Sequence, residues 1–492
     1  LDLDVKRSLS LFKVPITLQG GGLLGIQDRD HRRESLGYTY NPANPADPTL
    51  APFAMQVYRG HPNYWVQQPI PWASPNRMVE AWGKNPNLFT QTAAQLVASE
   101  QARINGSETF KEITTGIYLQ SDARLLNNRL FALAGVRFER IHTKAQGPLF
   151  EPGNAFVRTA SGAFARNAAG ARIRRPEAGA VGSVEETRLV YRERAYAANR
   201  SYDGYYPSLH LTYNVTERLQ ARLAYAETYG RPEFNQIIPN AVTSENDVDV
   251  QSNPTAVLGT INVRNTGLRP WSARNYDLSL EYYTDKGGLF SASLFYKDIK
   301  DFFGTFAKVA TASDLTELGL DSRYTGWMVT SAINSGDASV SGGEISVNHS
   351  LRSLGGGWRY FDLFASATKM RLQGAQQANF QGFVPESANW GVTFKKKPVT
   401  LMAKWSYRSD EKRAPFAAFG PDAFVVYKAR TELDMNLSYS LKPNLSLFLN
   451  ARNVLNLYSV RHRQGSQTPQ YAKQTQVVDN GAPFSLGVNG SF

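Results

Sequence analysis

From Lys428 to Leu441 the chain alternates without a break: Ala429, Thr431, Leu433, Met435, Leu437, Tyr439 and Leu441 against Lys428, Arg430, Glu432, Asp434, Asn436, Ser438 and Ser440. Period two is a β-strand with one apolar face. Strands of soluble domains usually run ~5 to 6 residues, whereas a strand crossing a bilayer at a tilt needs ~9 to 11. This stretch has the longer span, so its apolar face is fitted to hydrocarbon. The chain ends on the same pattern, with Phe484, Leu486, Val488, Gly490 and Phe492 on one side and Ser485, Gly487, Asn489 and Ser491 on the other.

A helical membrane protein is excluded, because no stretch approaches ~18 consecutive apolar residues. The 492 residues contain no cysteine, which removes disulfide scaffolds, Cys-based zinc sites and thiol catalysis together. Aromatic residues make up 12%, enough to supply girdles at two membrane interfaces. No composition shift marks a boundary, so the chain reads as one domain. The formal net charge of +12 invites a nucleic-acid reading. The basic residues read as scattered among lumen-facing strand positions and loops, which favours a polar lumen and an anionic lipid surface; a preference for anionic solutes is the lesser reading, and no nucleic-acid partner is expected.

Taken in order, the chain opens inside a strand at Leu1 to Leu11, turns at Ser10 to Pro15, and returns with Ile16 and Leu18. A long stretch from about Asp28 to Gly106 follows, with Thr90 to Arg103 of helical composition. Hairpins then recur. Their tight turns fall at Asn127-Asn128, Thr216-Glu217, Asp285 to Gly288, Gly355 to Gly357, Lys396 to Pro398 and Lys442 to Asn444, and long connections separate them. Outer-membrane barrels put short turns at the periplasmic end and long loops outside, and that asymmetry holds along the whole chain. The expected fold is therefore a transmembrane antiparallel β-barrel. Fifteen strands are read, an odd number that cannot close an antiparallel ring, so the sequence reads as the C-terminal part of a larger barrel.

Ala224 to Phe234 (AYAETYGRPEF) resembles the "AYS-x-T-x-x-RP" stretch of TonB-dependent receptors. Asn265 to Pro270 followed by Asn275 to Tyr283 resembles their "N-x-x-L-K-P … N-Y-D-L-x-L-E-Y-Y" segment, and Phe295 to Asp301, Asn334 to Glu344 and Asn450 to Asn456 continue in the family's order. Trp271 departs from the acidic residue usual after that Pro, and a local packing change is expected there. The resemblance implies active import of a scarce, bulky solute through a barrel of ~22 strands around a plug. The TonB energy complex would pull on that plug, which this sequence, like the early strands, lacks. Iron chelates, vitamin complexes, oligosaccharides and peptides all remain open as solutes. Outer-membrane lipid and the barrel-assembly machinery are the other partners implied, and Phe484, Leu486, Val488 and Phe492 are similar to the terminal signal that machinery reads.

Candidate ligand contacts are Tyr58, Trp65, Trp72 and Trp82 on the first long loop and Arg231 after the Tyr229 strand, each set against loop self-packing or a hydrogen-bonding role in the Arg-Pro turn. Lumen charges such as Arg137, Glu139, Arg430, Glu432 and Asp434 would line a solute path or touch a plug. No catalytic, cofactor or metal site is read; the six histidines are too dispersed for a metal site. Asp298 with Asp301 reads as a strand end rather than an acid/base pair. Two rivals stand: a passive porin-type channel, which an unobstructed lumen would favour, and a soluble all-β carbohydrate-active enzyme, which paired carboxylates in a cleft would favour.

Overall fold

The computed structural model describes all residues except 12–13, 43–48, 56–71, 161, 247–257, 286, 375–379, 381, 416–422, 467 and 492. Fifteen strands form one antiparallel meander. They are β1 (Asp2–Leu11), β2 (Val14–His31), β3 (Glu108–Leu125), β4 (Leu130–Phe150) and β5 (Tyr191–Asn214). Next come β6 (Leu219–Gly230), β7 (Trp271–Tyr283), β8 (Leu289–Val309), β9 (Met328–Ser350) and β10 (Phe361–Gly374). The meander ends with β11 (Glu386–Lys396), β12 (Val399–Arg408), β13 (Arg430–Lys442), β14 (Leu445–Ala451) and β15 (Phe484–Gly490). Each strand pairs with its neighbour in sequence, and among the described residues no pairing joins β1 to β15.

The registers settle the faces. Phe361, Phe394, Leu401, Leu437, Leu449 and Leu486 are successive cross-strand partners on six adjacent strands, an apolar row with no polar interruption. The row one residue away runs Asp362, Thr393, Met402, Asn436, Asn450 and Ser485. Leu486 is 78% exposed and Val488 64%, so these side chains are not tucked into a protein core. An unbroken apolar row on one face and a largely polar row on the other are what a membrane wall requires. A soluble two-layer sheet would bury the first row.

Long and short connections alternate as the sequence reading expects, and one end holds every tight turn. Several strands, however, run further than read. β4 continues to Phe150 and β5 starts at Tyr191, which shrinks the expected Lys144 to Asp203 connection to residues 151–190. Likewise β8 reaches Val309 and β9 starts at Met328. Outside hydrocarbon the strand face no longer has to be apolar, so Arg140, His142 and Lys144 break the pattern without ending the strand. At the C-terminal side the stretch Leu445 to Tyr458 is strand only to Ala451. Asp298 lies within β8, and Asp301 sits at a register shift with φ 58°, ion-paired to Arg269 at 3.1 Å.

The outer loops carry their own structure. The helical stretch becomes α1 (Ala93–Asn105), with Thr92 as N-cap and Gln95 closing a capping box. Strands Ala241–Glu245 and Gly259–Val263, both from the loop after β6, pair with each other and bridge in parallel to Leu149-Phe150 of β4 and Met328 to Thr330 of β9. With β4 through β9 they close a ring of eight strands at the outer end. Inside it Leu149, Tyr196, Ile261, Val263, Leu315, Trp327 and Val329 form a buried apolar core. The basic residues are not all scattered: Arg158, Arg166, Arg172, Arg174 and Arg175 gather in the loop after β4 with Phe156 and Phe164.

Candidate functional site

Below that core, on the polar face of β2 to β5, lies a cavity of about 340 Å³. Strand periodicity supplies its walls: Gln27, Glu112, Thr143 and Tyr202 occupy alternate positions opposite the outward apolar ones. The roof comes from the chain leaving β6. Arg231 and Pro232 turn it inward, and a short helix, Phe234–Ile237, lays Phe234 against Phe110 of β3 at 4.7 Å between ring centroids. Arg29 of β2 sits 4.6 Å above the Phe234 ring. The crossing chain then passes so near Gly147 that a Cβ there would lie 1.8 Å from the Pro239 carbonyl oxygen, so only glycine fits.

Arg231 is the hub. Its Nη1 donates to Glu112 Oε1 at 2.8 Å, its Nη2 donates to the Tyr229 hydroxyl at 3.0 Å, and Glu139 lies 3.9 Å away. The Tyr229 hydroxyl donates in turn to Glu139, which also pairs with Arg137. Tyr206 stacks on Tyr229 at 4.6 Å. Glu112 and Glu139 are nearly fully buried, so the guanidinium groups are what make their charge tolerable there. Arg200 faces the same cavity, and Thr266 lies beside it with its Oγ1 buried and, among the described residues, within no hydrogen-bond geometry. Cations and aromatic faces on one side, with Phe234, Ile237 and Leu268 on the other, suit a solute with both polar and apolar parts.

Of the residues singled out from sequence, Arg231 lines this cavity. Trp72 (59% exposed) and Trp82 (45% exposed, on the helix Pro75–Lys84) stand in the first outer loop and line none of it. Tyr58, Trp65 and Phe492 lie outside the described residues. Phe484, Leu486 and Val488 sit exposed on β15. Arg430 pairs with Glu432 at 3.0 Å, and Asp434 Oδ1 accepts from the Asn453 amide at 3.0 Å. Sequence reasoning missed Glu112, Arg200 and Tyr202; their inward parity on adjacent strands is the signal that was there to find.

The segments that carried the resemblance act as clasps. Asn334 donates through Nδ2 to the Arg269 and Asp301 carbonyls, each at 2.8 Å, and accepts from the Arg269 amide at 2.9 Å. Asn275 Nδ2 bonds the Ala226 carbonyl and Thr228 Oγ1 at 2.9 Å. Trp271 opens β7 directly opposite Gly230, where a Cβ would stand 2.2 Å from the indole, so the bulky ring is matched by a missing side chain.

A membrane-spanning antiparallel wall with short turns at one end, structured loops at the other and a polar inner face defines an outer-membrane β-barrel. The chain belongs to the TonB-dependent receptor-like β-barrel family, whose family model matches residues 10–454. Among solved structures it is similar to the ferric-catecholate import receptor Fiu of E. coli K12 in closed form, with a TM-score of 0.54 at 14% identity over 100% of this chain and 54% of that one. It is also similar to the ferric citrate transporter FecA in unliganded form (TM-score 0.53, 11% identity, 99% of this chain and 53% of that chain). The siderophore receptor PiuA of Acinetobacter baumannii gives 0.52 at 13% identity, over 99% of this chain and 55% of that one. At such identities the likeness is one of fold, and the chain spans about half the length of these structures. No curated protein matches the chain.

Proposed function

We propose that this chain is the wall and outer mouth of an active importer in the outer membrane of a Gram-negative-type bacterium, taking up a bulky solute that touches the Arg231 cavity. In this reading the TonB energy complex acts through a plug supplied by sequence outside these 492 residues, which also supplies strands to pair with the free edges of β1 and β15. The observation that carries it is the family match over a wall whose inner face carries packed loop segments, Phe234 against Phe110 of β3 among them. Iron-chelate carriers offer a named precedent, through Fiu, FecA and PiuA. The barrel-assembly machinery would read β15, with Phe484, Leu486 and Val488 as its outward signal, continuing to Phe492.

The test is uptake in cells producing the whole gene product. Accumulation of the solute should stop when the proton motive force is collapsed or the TonB complex is deleted, and should fall when Arg231 is changed to Gln. Uptake that persists unchanged without energy would overturn active import in favour of a passive channel.

A further inference from the structure

Six cations crowd the tight turns that join β9 to β10, β11 to β12 and β13 to β14. The stretches 351–361, 394–400 and 438–446 hold Arg352, Arg359, Lys395, Lys396, Lys397 and Lys442, and no carboxylate. These turns are neighbours in space. The Ser440 amide donates to the Pro398 carbonyl at 2.9 Å, and the Tyr360 ring stands 6.1 Å from that of Phe394. Further along the same end Arg218, between β5 and β6, is ion-paired to Asp285 of the next turn at 2.5 Å.

The chain answers part of this charge. Asp362, just inside β10, takes Lys395 at 2.9 Å and lies in the field of Arg352. Arg359 Nη2 donates to the Tyr360 hydroxyl at 2.7 Å, and Lys396 Nζ sits 5.3 Å over the same ring. A neutral phenol holds both cations in place without cancelling their charge. Lys396, Lys397 and Lys442 are all exposed, and among the described residues none of the three forms an ion pair.

The wall sets their depth. On the outward face of β12 the run from Val399 to Tyr407 covers roughly 26 Å at ~3.3 Å per residue, close to the ~25 Å band that such walls present to hydrocarbon. Trp390 and Trp405 stack toward its far end, while Trp358, Phe361, Phe394 and Tyr439 flank the near one. Lys396 is the register partner of Val399, which puts it on the outward side where that band stops. A lysine so placed lays its stem on apolar surface and its ammonium among lipid headgroups. Trp358 is exposed beside it, as an interfacial anchor is.

We propose that Lys396, Lys397 and Lys442 form a binding site for the headgroup of an anionic phospholipid in the leaflet at the tight-turn end. Phosphodiester oxygens supply the charge that the three turns lack, and ammonium groups take them as point charges. The inference rests on the membrane-spanning reading of the wall and is independent of import.

Native mass spectrometry of the whole gene product released from detergent at ~0.15 M salt, with cardiolipin and phosphatidylethanolamine offered in equal amounts, tests it. Cardiolipin should be retained about tenfold more than the zwitterionic lipid. Lys396→Gln/Lys397→Gln/Lys442→Gln should lower that retention about fivefold or more, while Lys396→Arg/Lys397→Arg/Lys442→Arg, which keeps the charge, stays within about twofold. Arg218→Gln should change nothing, and an equal loss there would reduce the effect to net charge and overturn the site. Equal retention of the two lipids would overturn it too, as would equal loss in the Gln and Arg triples or retention that ignores the Gln triple. So would lysine-dependent binding of a polyglutamate peptide or of lipopolysaccharide with no cardiolipin held.

Discussion

The wall and the dome of this molecule use the same apolar residues in opposite directions. Along β10 to β15, the row from Phe361 to Leu486 points away from the protein, and Leu486 is 78% exposed. In the eight-strand ring at the outer end, Ile261, Trp327 and Val329 point inward and are almost wholly buried. Strand geometry is the same in both regions, so what sets the direction is the surrounding solvent: hydrocarbon around the wall, water around the dome. The two halves should therefore fail under different substitutions.

The largest effect is expected in the dome. Trp327 packs edge-on against Tyr324 at 4.9 Å between ring centroids, in the core that holds the bridging strands to β4 and β9. Trp327→Ala should cost ~3 to 5 kcal/mol of local stability. Amide exchange in residues 259–263 and 328–330 would then rise steeply while β11 to β13 stay protected. Uniform loosening of both regions would mean that dome and wall are one cooperative unit.

In the wall a charge discriminates better than a cavity. Leu437→Arg puts a cation into the outward apolar row and should cost ~2 to 4 kcal/mol in lipid. The neighbouring Asn436→Arg faces the lumen, where Asn450 is its partner, and should cost much less. Folding titrations in lipid vesicles measure both, and equal penalties would defeat the assignment of faces. Between the two regions, Arg231→Gln strips Glu112 of its charged partner and should cost ~1.5 to 3 kcal/mol at neutral pH. The same titration on Glu112→Gln/Arg231→Gln should recover most of that loss, because the buried charge goes with its partner.

These contrasts also explain what the sequence disclosed. The wall was legible down to its fifteen strands, since hydrocarbon enforces an unbroken alternation such as Leu433, Met435, Leu437 and Tyr439. The upper halves of β4, β5, β8 and β9 were not, because water accepts Arg140 and Lys144 as readily as an apolar residue on the strand face. The bridging strands Ala241–Glu245 and Gly259–Val263 are five residues each, and their pairing joins partners far apart in the chain, which no local period encodes. Of the cavity, Arg231 could be named from its motif, whereas Glu112 and Tyr202 meet it only through the registers of β3 to β5. The gathering of arginines after β4 was missed because Ala155, Ala163 and Ala171 recur every eight residues, a spacing that matches neither helix nor strand.

The smallest expected effect separates the outer loops from both regions. Glu100 on α1 accepts from Arg103 Nε at 2.9 Å and from Arg188 Nε at 2.8 Å, and Arg103 reaches on to Glu193 of β5 at 2.7 Å. The Arg103 hydrogen bond first, with Arg188 adding to it, pulls the Glu100 carboxyl down to about 2 from an ordinary value of 4.5. A carboxyl depressed on folding contributes stability that is fully present above its unfolded value and is lost as pH falls through the folded one. The tie should thus hold at pH 7, weaken between pH 4.5 and about 2, and be worth ~1 kcal/mol or less, because both arginines are largely solvated. Amide exchange at pH 7 and pH 3, corrected for intrinsic rates, should show residues 93–105 loosening on acidification while 259–263 hold. Glu100→Gln should flatten that difference, and a pH response that survives the substitution would place the acid-sensitive group elsewhere in the loops.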